Sequence, residues 1–142
     1  MGLIKTTTPV VLLLSTVTFV QAFTGSLIFY NDTNFDGITY RTEVNATQLC
    51  YNLSCFSNMA GSVKWENLPT AGNFDGKARV AFYTSPSCAG SYRDWPTDTQ
   101  ERNIFPSDFK LDGIFHLVAS VMIMETNSIV LDVVSTSCKI SM

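Results

Sequence analysis

The sequence predicts an all-β fold, an antiparallel two-sheet sandwich, and three observations carry the prediction. Short runs rich in β-branched and aromatic residues recur at positions 27–30, 38–41, 63–65, 78–83, 116–123 and 128–134. Clusters of Gly, Pro, Asn, Asp and Ser divide them. No window sustains a helical period, and residues 46–53 have room for one turn of helix at most. Strands with no helices between them pack as antiparallel layers rather than as an α/β fold.

The chain opens on a leader. Lys5 gives a short positive region, residues 10–20 an apolar stretch relieved by Ser and Thr, and Val20-Gln21-Ala22 a small-residue exit. Residues 1–22 are therefore expected to be a signal peptide, with Phe23 as the mature N-terminus. The stretch falls short of the ~20 apolar residues a membrane span needs. The mature chain is expected to be secreted and extracellular, with no membrane span.

The first strand, 27–30, runs into the octet YNDTNFDG from Tyr30 to Gly37, written as a folded-over hairpin. Gly37 takes a backbone angle other residues resist, and the rings of Tyr30 and Phe35 can stack across the bend. Residues 66–77, with Pro69, Gly72 and Gly76, read as a linker. Asn73-Phe-Asp-Gly76 echoes the hairpin but lacks a preceding Tyr, so it reads as a turn. In 78–83 the apolar and less apolar positions alternate, as they do where one sheet face is buried. The octet then recurs, altered, as YTSPSCAG from Tyr83 to Gly90, and residues 92–102 read as a loop.

Each octet is followed, some thirty-odd residues later, by a Ser-Val pair opening an apolar strand: Ser62-Val63, then Ser120-Val121. This pattern resembles two tandem Greek keys of the βγ-crystallin type, in a small secreted protein of the microbial kind. The resemblance spans residues 26–123. It implies a Greek-key sandwich in a single domain, 23–142, with one key at 26–66 and a second at 78–124. The tail, 125–142, carries an apolar segment beyond what the two keys need, and reads as an added edge strand pinned by Cys138. Each key would cover the apolar face of the other. Phe29, Phe35, Leu49, Leu53, Phe56, Val63 and Trp65 should form one side of the core. Phe82, Phe105, Phe109, Leu111, Ile114, Val121 and Ile123 should form the other.

All four cysteines, Cys50, Cys55, Cys88 and Cys138, follow the leader, so disulfides are expected. Of three connectivities, Cys50–Cys55 with Cys88–Cys138 is favoured, because CYNLSC brackets one short loop. Three sequons, at Asn31, Asn45 and Asn52, place glycans over loops of the first key if the source is eukaryotic. Without Lys5 the nine basic residues become eight, against twelve acidic ones, and they are scattered. Nucleic acid is not an expected partner, since neutralising phosphates needs a basic face.

Calcium-binding members of the resembled family read Asn/Asp, Asn/Asp, two variable residues, Ser/Thr, Ser before the last strand of each key. Here the segments are SNMAGS, 57–62, and FHLVAS, 115–120, and only the final Ser survives in both. Gly61 and Ala119 stand where the hydroxyl ligand belongs and have no side-chain oxygen. Neither calcium nor any other metal or cofactor is expected.

Catalysis has little to build on. His116, the one histidine, lies in an apolar run, and no nucleophile or metalloprotease motif is present. Asp94 and Asp98, beside Trp95, form the one carboxylate pair worth weighing for glycan hydrolysis. Tyr92, Arg93 and Trp95 are residue types that anchor interfaces. The function expected is thus a secreted, non-enzymatic recognition protein (toxin, defence or inhibitor type) binding an extracellular protein or glycan through them. A structural extracellular protein ranks second, a small glycan-acting enzyme third.

Overall fold

A computed structural model describes residues 2–13, 22–128, 132–137 and 140–141. Residues 14–21, most of the expected apolar leader and its exit, lie outside the described residues, as do 129–131 and Cys138. Among the described residues no helix is long and apolar enough to cross a membrane.

The described residues form ten strands: β1 (Gly25–Tyr30), β2 (Thr39–Val44), β3 (Cys50–Asn52), β4 (Ser62–Glu66), β5 (Ala71–Phe74), β6 (Arg79–Ser85), β7 (Ala89–Pro96), β8 (Ser120–Met124), β9 (Val133–Ser135) and β10 (Ile140–Ser141). One sheet runs β10-β2-β1-β4 and the other β7-β6-β8-β3-β9. The sandwich expected from the sequence is the one observed.

The keys exchange strands. β1 and β2 form a hairpin, β3 crosses to the second sheet to lie antiparallel to β8, and β4 returns beside β1. In the second key β6 and β7 form the hairpin and β8 returns beside β6. Between them, residues 105–109 run along β4 in the first sheet. Val63 N–H donates to the Pro106 carbonyl at 3.3 Å and Phe109 N–H to Gly61 at 3.0 Å. Pro106 has no N–H to give a ladder, so this reciprocal segment stays irregular.

The structure departs from expectation in three places. Residues 46–53 hold β3 rather than a helical turn, because a three-residue strand carries too little periodicity to be read. Residues 89–96 form a strand, not loops, because pairing with β6 supplies what their composition does not advertise. Residues 116–119 precede β8 rather than belonging to it; His116 sits there at φ 55°.

Inside, the aromatic rings mesh across the sheets. Phe29 of β1 meets Phe82 of β6 edge-on at 5.9 Å, and Trp65 lies 6.4 Å from Phe82. The fully buried Trp65 donates from Nε1 to the Thr97 carbonyl at 3.0 Å, and Thr97 Oγ1 donates to Pro69 at 2.6 Å. The linker is thereby tied to the core. Leu111, expected inside, is 87% exposed on a turn. Phe35 also stays out of the core, its ring against Tyr30 at 5.7 Å and under the Lys64 ammonium. Sequence gives hydrophobicity, and the side a residue faces is settled by the turn that carries it.

After β8 the tail touches both sheets: β9 runs parallel to β3 and β10 antiparallel to β2. Thr136, between them, is hydrogen-bonded to the Tyr40 hydroxyl and donates to the Asn52 carbonyl at 3.0 Å.

Candidate functional site

The two octets fold alike, and a serine closes each. Asn34 and Phe35 both have φ 58°, and Ser87 and Cys88 repeat the left-handed pair at 60° and 53°. Such angles cost a non-glycine residue about 1 kcal/mol each. The closing contacts offset that. Ser62 Oγ donates to the Asp32 carbonyl at 2.7 Å and accepts from Phe35 N–H at 3.0 Å. Ser120 Oγ donates to the Ser85 carbonyl at 2.6 Å and accepts from Cys88 N–H at 3.0 Å. Both serines are buried. Gly37 and Gly90 hold matching positions at φ 85° and 79°.

Superposing the octets in sequence puts Cys88 where Phe35 stands. In the first hairpin that position stacks on Tyr30; in the second it is covalent. Cys88 bonds Cys50 of β3, with the Cα atoms 5.8 Å apart. The favoured pairing is therefore corrected: Cys50 does not join Cys55, nor Cys88 join Cys138. The cause is the strand exchange, which carries Cys50 away from its own loop and seats it beside the second hairpin. Cys55 is disulfide-bonded as well.

The positions aligned with the calcium ligands serve the backbone instead. Gly61 N–H donates to the Tyr30 carbonyl at 2.7 Å, and Ala119 N–H to Tyr83 at 2.8 Å. A Cβ on Gly61 would lie 2.7 Å from the Asp32 carbonyl carbon, so a hydroxyl-bearing residue does not fit without moving the hairpin. Among the described residues no three His, Cys, Asp or Glu side chains gather as metal ligands would.

β7 divides the three expected anchors between two faces. Tyr92 lies opposite Tyr83 in register and its ring sits 5.3 Å from it, on the outer face of the second sheet. Trp95 is opposite Val80, on the inner side, half-buried against Phe82 at 5.8 Å and Phe109 at 6.1 Å. It is a core residue before it is a surface one. Arg93, opposite Phe82, is exposed and donates from Nη1 to the Tyr92 carbonyl at 3.0 Å. Its charge lowers the pKa of Asp112, but burial and Asp108 outweigh it and hold that carboxyl above the usual value. The Tyr83 phenol is also raised, first by burial, then by Tyr92 and Asp94. What sequence missed is that β7 is an edge strand: residues 89–93 are exposed in succession, and among the described residues no strand pairs with its outer side. Tyr92 is 49% exposed there.

The weighed carboxylates do not act together. Asp94 pairs with Arg79 at 2.6 Å and Asp98 with Lys77 at 3.0 Å, each occupied by its own base. Oδ1 of Asp98 is buried without a hydrogen bond. His116 is exposed and stacks on Phe115 at 3.8 Å, and its Nε2 contacts the Asn31 carbonyl at 2.7 Å, joining the second key to the first hairpin. Of the sequons, Asn45 is the exposed one. Asn31 and Asn52 use their Oδ1 atoms to accept from Ile38 and Ser87 N–H, both at 2.7 Å, and Asn52 lies in β3 rather than a loop.

No family model and no curated protein matches the chain. Solved structures do. A domain solved in work on the evolution of the eye lens βγ-crystallin fold is 12% identical, over 72% of this chain and 87% of that one, with a TM-score of 0.48. A βγ-crystallin domain from Clostridium beijerinckii is 18% identical, over 71% and 99%, with a TM-score of 0.45. A βγ-crystallin from an archaeon is 17% identical, over 69% and 95%, with a TM-score of 0.42.

Proposed function

We propose that this chain, βγ-crystallin-like in fold, is a secreted, non-enzymatic recognition protein that binds an extracellular protein along the open edge of β7. One observation carries the reading. Five consecutive exposed residues, 89–93, lie on a strand edge that no other strand among the described residues pairs, with Tyr92 on one face and Arg93 on the other. An extended segment of a partner adding to that edge would pair with its backbone and touch both side chains. That geometry favours a protein over a glycan, which has no N–H and C=O ladder to offer. Non-enzymatic action is supported by His116, held in a backbone contact, and by Asp94 and Asp98, each held by its own base. Glycans at Asn45 would cover the first key and leave β7 open.

The test captures partners from extracellular fractions with wild-type protein and with Tyr92→Ala and Arg93→Ala. Truncating an anchor at a real interface costs about 2 kcal/mol, roughly thirtyfold in affinity. Both variants should lose the captured protein to that degree while melting near wild type. Trp95→Ala should instead lower the melt, since it removes packing against Phe82 and Phe109. Capture unchanged in both Tyr92→Ala and Arg93→Ala overturns the proposal.

A further inference from the structure

We infer that the fold holds a receptor for its own new N-terminus: removal of the leader creates an α-ammonium on Phe23 that pairs with the carboxylate of Glu125. The inference rests on the reading of the chain as a processed, exported protein. Hydrolysis of the Ala22–Phe23 amide puts water's hydroxyl on the Ala22 carbonyl and its hydrogen on the Phe23 nitrogen. The acid proton of Ala22 passes to that nitrogen, leaving a carboxylate on the departing leader and an ammonium on the chain.

Three features place that ammonium. Ala22, Phe23 and Glu125 line one cavity of about 320 Å³, with Asn67 and Leu68 of the linker also on its wall. Glu125 is the one ionisable side chain among the described residues that line it. Its backbone is held from both directions, the N–H donating to Gln48 Oε1 at 2.8 Å and the carbonyl accepting from Asn73 N–H at 2.7 Å. Glu125 is half-buried, yet its carboxylate makes no hydrogen bond or ion pair to any described residue. Two residues after Phe23, Gly25 passes so close to the linker that a Cβ there would lie 2.6 Å from Leu68 and 3.1 Å from the Asn67 carbonyl. Two residues reach about 7 Å at most, so the Phe23 nitrogen cannot stray far from that fixed point. The Phe23 ring, packed against the core, restrains it further. A carboxylate with no partner among the described residues therefore belongs to a residue lining the cavity where hydrolysis produces a cation.

The charge pair exists only after processing and only where both groups are ionised. An α-amino group titrates at about 8, and pairing with a carboxylate raises that value. The stabilisation is full below the amine's unfolded pKa and is lost as pH rises through its raised folded pKa.

The chain from Phe23 keeps every strand, since β1 opens at Gly25 and residues 2–13 are exposed throughout. Thermal melts at pH 6.5 compare the full chain, the chain starting at Phe23, and the same chain with its α-amino group acetylated, each with and without Glu125→Gln. The free amine should melt about 3 °C above the other two. Glu125→Gln should abolish that gain and leave the acetylated form unmoved, and at pH 10 the gain should vanish. Equal melting of free and acetylated chains, or an equal loss from Glu125→Gln in both, overturns the inference. N-terminal sequencing of the exported protein is a separate arm. A start other than Phe23 overturns the role in processing, whatever the melts show of the ion pair.

Discussion

At the scale of single residues, two serine hydroxyls do the same job in two places. Each satisfies a carbonyl and an N–H that the left-handed turn would otherwise bury unpaired. Leaving such groups unsatisfied costs about 1–3 kcal/mol, so Ser62→Ala and Ser120→Ala should each lose that much in urea unfolding. A loss well below 1 kcal/mol in both would mean the hairpins close without them. These serines, with Tyr30, Gly37, Tyr83 and Gly90, were legible in the sequence because a positive-φ turn restricts residue type at fixed spacing. Cys88 was not. The octet YTSPSCAG sets a thiol where Phe35 stands, but nothing in it says that the thiol's partner arrives from the other key.

Elements were legible in proportion to how much of their own burial they carry. β1, β4 and β6 bury most of their residues and declare themselves through runs such as Val80-Ala81-Phe82. β7 does not, since Ala89–Arg93 point at solvent and only pairing with β6 makes them a strand. The same alternation separates Tyr92 from Arg93 and Trp95, which an unfolded text sets side by side. It also brings Arg93 toward the segment 108–113, where it acts on Asp112. Arg93→Ala should therefore raise the Asp112 pKa further, as NMR titration of its carboxyl would read. Because that pKa already lies above its unfolded value, stability falls as pH rises from the ordinary carboxyl value through the raised one. The variant should widen that window upward; an unmoved titration would place Arg93 too far from Asp112 to matter.

Over the whole molecule the exchange of strands decides the energetics. Neither key is a complete sheet alone: β3 is a strand of the second sheet, and residues 105–109 flank the first. The Cys50–Cys88 bond fastens that exchange across a sequence separation of 38. On the chain-entropy view a loop of that length is worth about 4 kcal/mol. Cys88→Ser should lower unfolding free energy by an amount of that order, and a change below 1 kcal/mol would show that the exchanged strand holds without its staple. One consequence concerns damage. The turn at Asp75-Gly76, in the linker, is exposed and spans the two keys. A single nick there separates the polypeptide into two pieces that remain interleaved and cross-linked, so the molecule survives as one particle. Only a reducing gel would reveal that it had been cut.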